Sequence, residues 1–92
     1  MVAIYVVGRM RDREYVLQVA TNLLREGFAV FIPNRLNKLI QWSNEGDLEM
    51  LRRADAVYVM RNYLKSASAV DELAWAKHYH KTIYFEGRNE PL

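Results

Sequence analysis

Gly8-Arg9-Met10-Arg11-Asp12-Arg13 sets one backbone-permissive residue and three cations between an apolar run and the start of an amphipathic one. At a strand-to-helix junction, free N–H groups and the helix dipole add to the arginines, and the chemistry is capture of an anion such as a phosphate or nucleotide. The stretch is neither a GxGxxG nor a Walker sequence, so solvated arginines are the ordinary alternative. Glu72 is the second candidate. It falls in the first turn or so of an Ala-rich segment, behind the small residues Ser66-Ala67-Ser68-Ala69, which would let a ligand approach. A helix N-terminus favours its ionised form, and an ionised carboxylate can be a nucleophile; a dipole-complementing Glu beside Asp71 is the bland alternative. Asp47 and Asp55 also stand near expected helix ends, where each alone reads as structural. His78 and His80 are two apart, which on a helix points them in different directions, and no carboxylate completes a metal set, so no metal is expected. Trp42, Trp75 and the tyrosines fit a core or a subunit contact better than a base-stacking role. Tyr15, close to the first loop, is the exception and is expected in a pocket wall.

These residues need elements to bring them together. Val2 to Val7 is apolar without alternation, the pattern of a strand covered on both faces and hence of a parallel sheet. From Asp12, a plausible N-cap, Tyr15, Val16, Val19, Ala20, Leu23 and Leu24 recur at helical spacing, and Gly27 stops the helix. Phe28 to Ile32, closed by Pro33, is a second strand and completes a βαβ unit. Asn34 to Trp42 has no firm period and is read as a loop with one helical turn at most. Glu45 to Ala54 is helical, with Leu48 and Leu51 on one face and Arg52 and Arg53 at the end where the dipole suits cations. Ala56 to Met60 is the third strand. Ser68 followed by Asp71 resembles a cap ahead of a helix running to about His80, then Thr82 to Phe85 is the fourth strand and Gly87 to Leu92 a polar tail. The fold class is therefore α/β, a three-layer sandwich around a short, mostly parallel four-stranded sheet. In such sheets ligands gather beyond the carboxyl ends of the strands, so function is expected in the loops after Val7, Ile32 and Met60.

With 92 residues the chain has room for one domain and one core, residues 1–92, and a core this small would gain from a partner subunit; a homo-oligomer is expected. Thirteen Lys and Arg against eleven Asp and Glu give a formal charge of +2, too mild for a chain whose main partner is a phosphate polymer but suited to a compact anion. The absence of Cys excludes disulfides and thiolate chemistry. No stretch has the form of a signal peptide or approaches the ~20 apolar residues of a membrane span, so the cytoplasm is the default setting.

Three segments, Ile4-Tyr5-Val6-Val7-Gly8-Arg9-Met10-Arg11, then Asp47 to Val57, then Ser66-Ala67-Ser68-Ala69-Val70-Asp71-Glu72-Leu73, resemble in order and spacing the nucleoside 2-deoxyribosyltransferase-like superfamily. The likeness is closest to the 2'-deoxynucleoside 5'-phosphate N-hydrolases and related small phage and bacterial domains. It implies a flavodoxin-like fold and a carboxylate that attacks the anomeric carbon of a deoxyribosyl group and displaces the base, as in retaining glycosidases. Glu72 falls on that nucleophile and Asp47 on an acid that positions the sugar or base. Gly8, Arg9, Met10 and Arg11 match the loop around the 5' end, and Ser66 and Ser68 lie in the segment leading to Glu72. Ser66 stands where transferases acting on free nucleosides carry Asp and nucleotide hydrolases carry Ser, which leans toward a 5'-monophosphate. Two departures are visible: Ser68 replaces a usual Gly, and Asp12 stands where the hydrolases have Gly. The expected function is hydrolysis or transfer at the N-glycosidic bond of a 2'-deoxynucleoside 5'-monophosphate, without a cofactor. Its alternatives are a non-catalytic nucleotide-binding or sensing module of the same fold, or an interaction protein with a vestigial pocket. Nucleic-acid binding ranks lower, because the arginines are spread over separate elements. The catalytic reading requires Glu72 to face a sugar-sized hollow beside the turn after the first strand.

Overall fold

A computed structural model describes residues 1–36 and 44–87. Strand β1 (Ala3–Val7) leads to helix α1 (Arg13–Arg25), β2 (Ala29–Phe31) and a 3-10 turn at Asn34–Leu36. Helix α2 (Asn44–Arg53), β3 (Ala56–Val59), a second 3-10 turn at Tyr63–Lys65, α3 (Ala67–His78) and β4 (Thr82–Phe85) follow. The sheet order is β2-β1-β3-β4 and every pairing is parallel. The register places Tyr5 opposite Phe31 on one side and Val57 on the other. The result is the expected α/β, flavodoxin-like three-layer sandwich.

Strand alternation divides the core into two. Tyr5, Val7, Val57, Val59 and Ile83 point to one face, where Leu51 and Ala54 of the α2 end and Ala69, Leu73 and Ala76 of α3 cover them. Ile4, Val6 and Ala56 point to the other, beneath Val16, Val19 and Leu23 of α1. The central strand β1 is thus covered on both sides, which is why Val2 to Val7 reads as unbroken apolar sequence. Helix α1 ends as Gly27 allows: at φ +96 it donates to the Leu24 carbonyl while Phe28 N–H donates to Leu23, the paired bonds of a Schellman motif.

Two cap assignments need correction. Asp12 occupies the N-cap position of α1 but its carboxylate makes no cap bond; it accepts instead from Asn62 Nδ2 at 2.8 Å. Ser66, not Ser68, caps α3: its Oγ accepts from Ala69 N–H at 3.2 Å, and the helix starts at Ala67, so Ser68 already lies inside it. Helix α3 ends at His78, and His80 lies past it at φ 56. Trp42 and most of the polar tail lie outside the described residues.

Candidate active site

The chain runs from β1 outward to β2, then returns to the opposite side of β1 as β3, so the switch point of this sheet lies between β1 and β3. The loops after β1, β2 and β3 meet there around a cavity of about 550 Å³, within the range of small-ligand pockets. The first loop contributes Arg9, Met10, Arg11 and, at the start of α1, Arg13; the second contributes Arg35 and Leu36; the third contributes Lys65, Ser66 and Ser68. Five of these side chains are cationic, and no described lining residue is acidic. Walls of one sign with low-dielectric flanks concentrate the opposite charge, so the hollow is suited to an anion.

The loop after β1 is held by a residue that sequence reasoning passed over. Asn62, 7% exposed, accepts from Arg9 N–H at 3.0 Å and donates from its amide to the Arg9 carbonyl at 3.3 Å as well as to Asp12. Its amide therefore engages Asp12, which is not among the described lining residues. Gly8 plays its part as backbone. A Cβ there would stand 2.9 Å from Met60 Cβ, which no side-chain rotation can move, and 2.7 Å from its Sδ, so glycine lets the end of β1 close on the third loop.

Behind the cavity lies a buried polar cluster. Helix α3 buries Ala69, Glu72, Leu73 and Ala76, spacing that puts Glu72 on the core-facing stripe while Asp71 is exposed. Helix α2 does the same with Asp47, which is wholly buried. Glu72 is 1% exposed. Tyr5 Oη donates to Glu72 Oε2 at 2.6 Å, and Arg35 grips the carboxylate with both ends of its fork, Nη1 to Oε2 at 2.8 Å and Nη2 to Oε1 at 3.0 Å. The same guanidinium reaches Asp47 Oδ2 at 3.4 Å and the Gly8 carbonyl at 3.1 Å. Asp47 Oδ1 accepts from Asn34 N–H at 2.7 Å, tying α2 to the loop that carries Arg35.

The electrostatics follow from burial. Removal from water raises the Glu72 carboxyl above its usual range, with Arg35 and Tyr5 pulling the other way. Burial works against the charge on Arg35, but its bonds to Glu72 more than offset this and hold it above the usual value. The Tyr5 hydroxyl is pushed far up by burial and by Glu72 beside it, so it stays a donor. A charged pair in this setting persists because its bidentate geometry is good and each partner has further polar contacts.

The structure thus brings Arg9, Met10, Arg11, Ser66 and Ser68 to one cavity and sets Glu72 and Asp47 together just behind it. It does not set Glu72 on the cavity wall. The expected open hollow in front of the carboxylate is filled by the Arg35 guanidinium, which is at once lining and lid. Tyr15 is also corrected: it does not line the cavity but donates from its hydroxyl to Glu86, which borders a separate hollow of about 350 Å³. Asp55 is structural, accepting from Ala3 N–H at 2.8 Å to fix the start of β1. Arg35, Asn62, Lys65 and the hydroxyl of Tyr5 were missed. A tyrosine in an otherwise aliphatic buried strand was the available signal for the last.

Among the described residues no group of three His, Asp or Glu could hold a metal ion, and no helix is long and apolar enough to cross a membrane. No curated protein matches the chain, and no solved structure does. A family described as a domain of unknown function, DUF4406, matches residues 2–85, and the chain belongs to that family.

Proposed function

We propose that the chain binds a 2'-deoxynucleoside 5'-monophosphate and hydrolyses its N-glycosidic bond, as its likeness to the nucleoside 2-deoxyribosyltransferase-like superfamily implies. One observation carries the reading: Arg35 belongs both to a cationic cavity and to a buried carboxylate, so a phosphate site and a candidate nucleophile share one side chain. In the proposed reaction a Glu72 oxygen attacks C1' of the sugar. The C1'–N bond breaks, its electron pair leaves with the base, and the base nitrogen takes a proton from solvent. Water then adds to C1' and the bond to Glu72 breaks, giving 2-deoxyribose 5-phosphate and restoring the carboxylate, while the second proton of that water returns to solvent. Tyr5 orients Glu72. Asp47, buried and bonded to Arg35, acts as a positioning residue through that arginine. No step requires a cofactor. The reading includes a homodimer in the cytoplasm; exposed Val70 and Trp75 on α3 agree with a subunit contact, and sedimentation tests it.

The reaction requires Arg35 to leave Glu72, because the carboxylate is covered as long as the pair is closed. The same fact supports a second reading, in which Arg35 stays in place and the cavity is a non-catalytic nucleotide-binding or sensing module. Incubation with a panel of 2'-deoxynucleoside 5'-monophosphates, with released base read by chromatography, separates the two. Base release that disappears in a folded Glu72→Gln variant supports hydrolysis. Thermal stabilisation by nucleotide with no free base supports the binding module.

A further inference from the structure

We propose that Arg35 is the specificity-determining residue of this site: a phosphate entering the cavity draws the guanidinium fork away from Glu72, so the carboxylate is uncovered only when the ligand carries a phosphate. The catalytic meaning of this inference rests on the hydrolase reading; the coupling itself does not.

The geometry supports an exchange of partners. Arg35 is the only described cavity cation that also contacts Glu72, and its side chain is 13% exposed, so one edge of the fork already meets the hollow. A phosphate dianion offers that fork the planar, bidentate match that Glu72 offers at rest. It also carries more charge than a carboxylate and would be flanked by Arg9, Arg11, Arg13 and Lys65, which do not contact Glu72 in the described structure. A deoxynucleoside lacking the phosphate has nothing with which to compete. Glu72 left behind keeps the Tyr5 bond but loses its counter-charge. The positive charge developing at C1' replaces that counter-charge in the transition state, where it lowers the barrier.

Linkage makes the exchange measurable without turnover. If phosphate and Glu72 compete for one guanidinium, weakening Glu72 as an acceptor must tighten phosphate binding, and bound phosphate must make Glu72 harder to ionise. The charged groups facing Glu72 are Arg35 and, across it, Asp47, with the Tyr5 hydroxyl beside it.

The test uses inorganic phosphate and the whole chain. Calorimetry should find phosphate bound more tightly by Glu72→Gln than by the parent, by about 5- to 150-fold, the usual span for coupled sites. The gain should vanish in the Arg35→Lys background, which keeps a charge but not the fork. No gain, or an equal gain in both backgrounds, overturns the proposal. Because Arg35 variants leave buried Glu72 poorly paired, a second measurement uses the parent chain alone: the Glu72 side-chain carbon, followed by ¹³C NMR, should titrate at higher pH with saturating phosphate and be unmoved by a deoxynucleoside. An unmoved signal with phosphate overturns the proposal. Coupling without base release from any nucleotide leaves this inference standing and removes the hydrolase reading; base release without coupling does the reverse.

Discussion

Arg35 binds both oxygens of the Glu72 carboxylate while its own side chain forms part of a cavity wall. Burying an ion pair is a poor way to stabilise a fold, since the desolvation cost of both charges consumes most of the attraction between them. Core packing here would be served as well by apolar side chains at both positions. The arrangement makes sense where one partner must be able to exchange, and the adjoining wall of cations is where the exchange can occur.

Replacing Glu72 separates the two roles. Glu72→Ala leaves Arg35 largely buried with Asp47, at 3.4 Å, as its remaining carboxylate partner, and should cost about 3–5 kcal/mol in urea unfolding. Glu72→Gln keeps the volume and an acceptor for Tyr5 and should cost less. Both should abolish base release; retained release from either removes Glu72 as nucleophile.

Tyr5→Phe removes one buried hydroxyl and nothing else. The lost bond is 2.6 Å long and ends on a carboxylate, so stability should fall by about 1.5–3 kcal/mol. A denaturation midpoint equal to that of the parent would show that the hydroxyl is not bonded as described.

The helix cap offers a comparison within one segment. Ser66→Ala removes the acceptor for Ala69 N–H and should cost about 0.5–2 kcal/mol, whereas Ser68→Ala, one residue inside α3, should leave thermal stability nearly unchanged. The reverse order would restore the cap to Ser68.

How far these features could be read from sequence depends on what fixes each of them. The strands and helices are set by local pattern: unbroken apolar runs for β1 and β3, a 3.6-residue period for α1, and Gly27 at its end. The cavity follows from topology, because a parallel sheet with its switch point at β1/β3 brings the three following loops together, and all three were expected to hold function. Arg35 and Asn62 sit in two of those loops but were not singled out. Neither belongs to a periodic pattern, and what makes each important is a contact across a long sequence gap, 37 residues from Arg35 to Glu72 and 53 from Asn62 to Arg9. The burial of Glu72 was accessible from the spacing of Ala69, Leu73 and Ala76; that a cation would lie on top of it was not. Ser68 was preferred to Ser66 as the cap because an acidic residue follows it at the right distance, yet the chain enters α3 two residues earlier.

Burial of the Tyr15 hydroxyl, together with its bond to Glu86, gives the fold an alkaline limit. Burial, and then the bond to Glu86, raise the Tyr15 hydroxyl to about 12 from 10.0. The contribution is complete below 10.0. Between that value and about 12 the unfolded chain releases a proton that the folded chain keeps, so the contribution shrinks as pH rises and is gone above about 12. Urea midpoints of the parent and Tyr15→Phe should therefore differ by a constant amount up to pH 10.0 and converge toward pH 12. A gap that stays constant through this range would show that the folded chain does not hold the Tyr15 proton as described.

Asn62 tests whether the anion site depends on a pre-shaped loop or merely on charge. Its amide satisfies both backbone groups of Arg9 and occupies the Asp12 carboxylate, so Asn62→Leu leaves three polar groups without this partner and frees a negative charge near the cationic wall. Loss of stability should be about 1–3 kcal/mol for each group that water cannot reach. Asn62→Asp keeps an acceptor for Arg9 N–H but replaces the amide donor to Asp12 by a second carboxylate set against it. Affinity for inorganic phosphate, measured by calorimetry, should fall in both variants although no lysine or arginine has been removed. Affinity equal to the parent's in Asn62→Leu would show that the cations alone make the site, whatever the conformation of the loop that carries them.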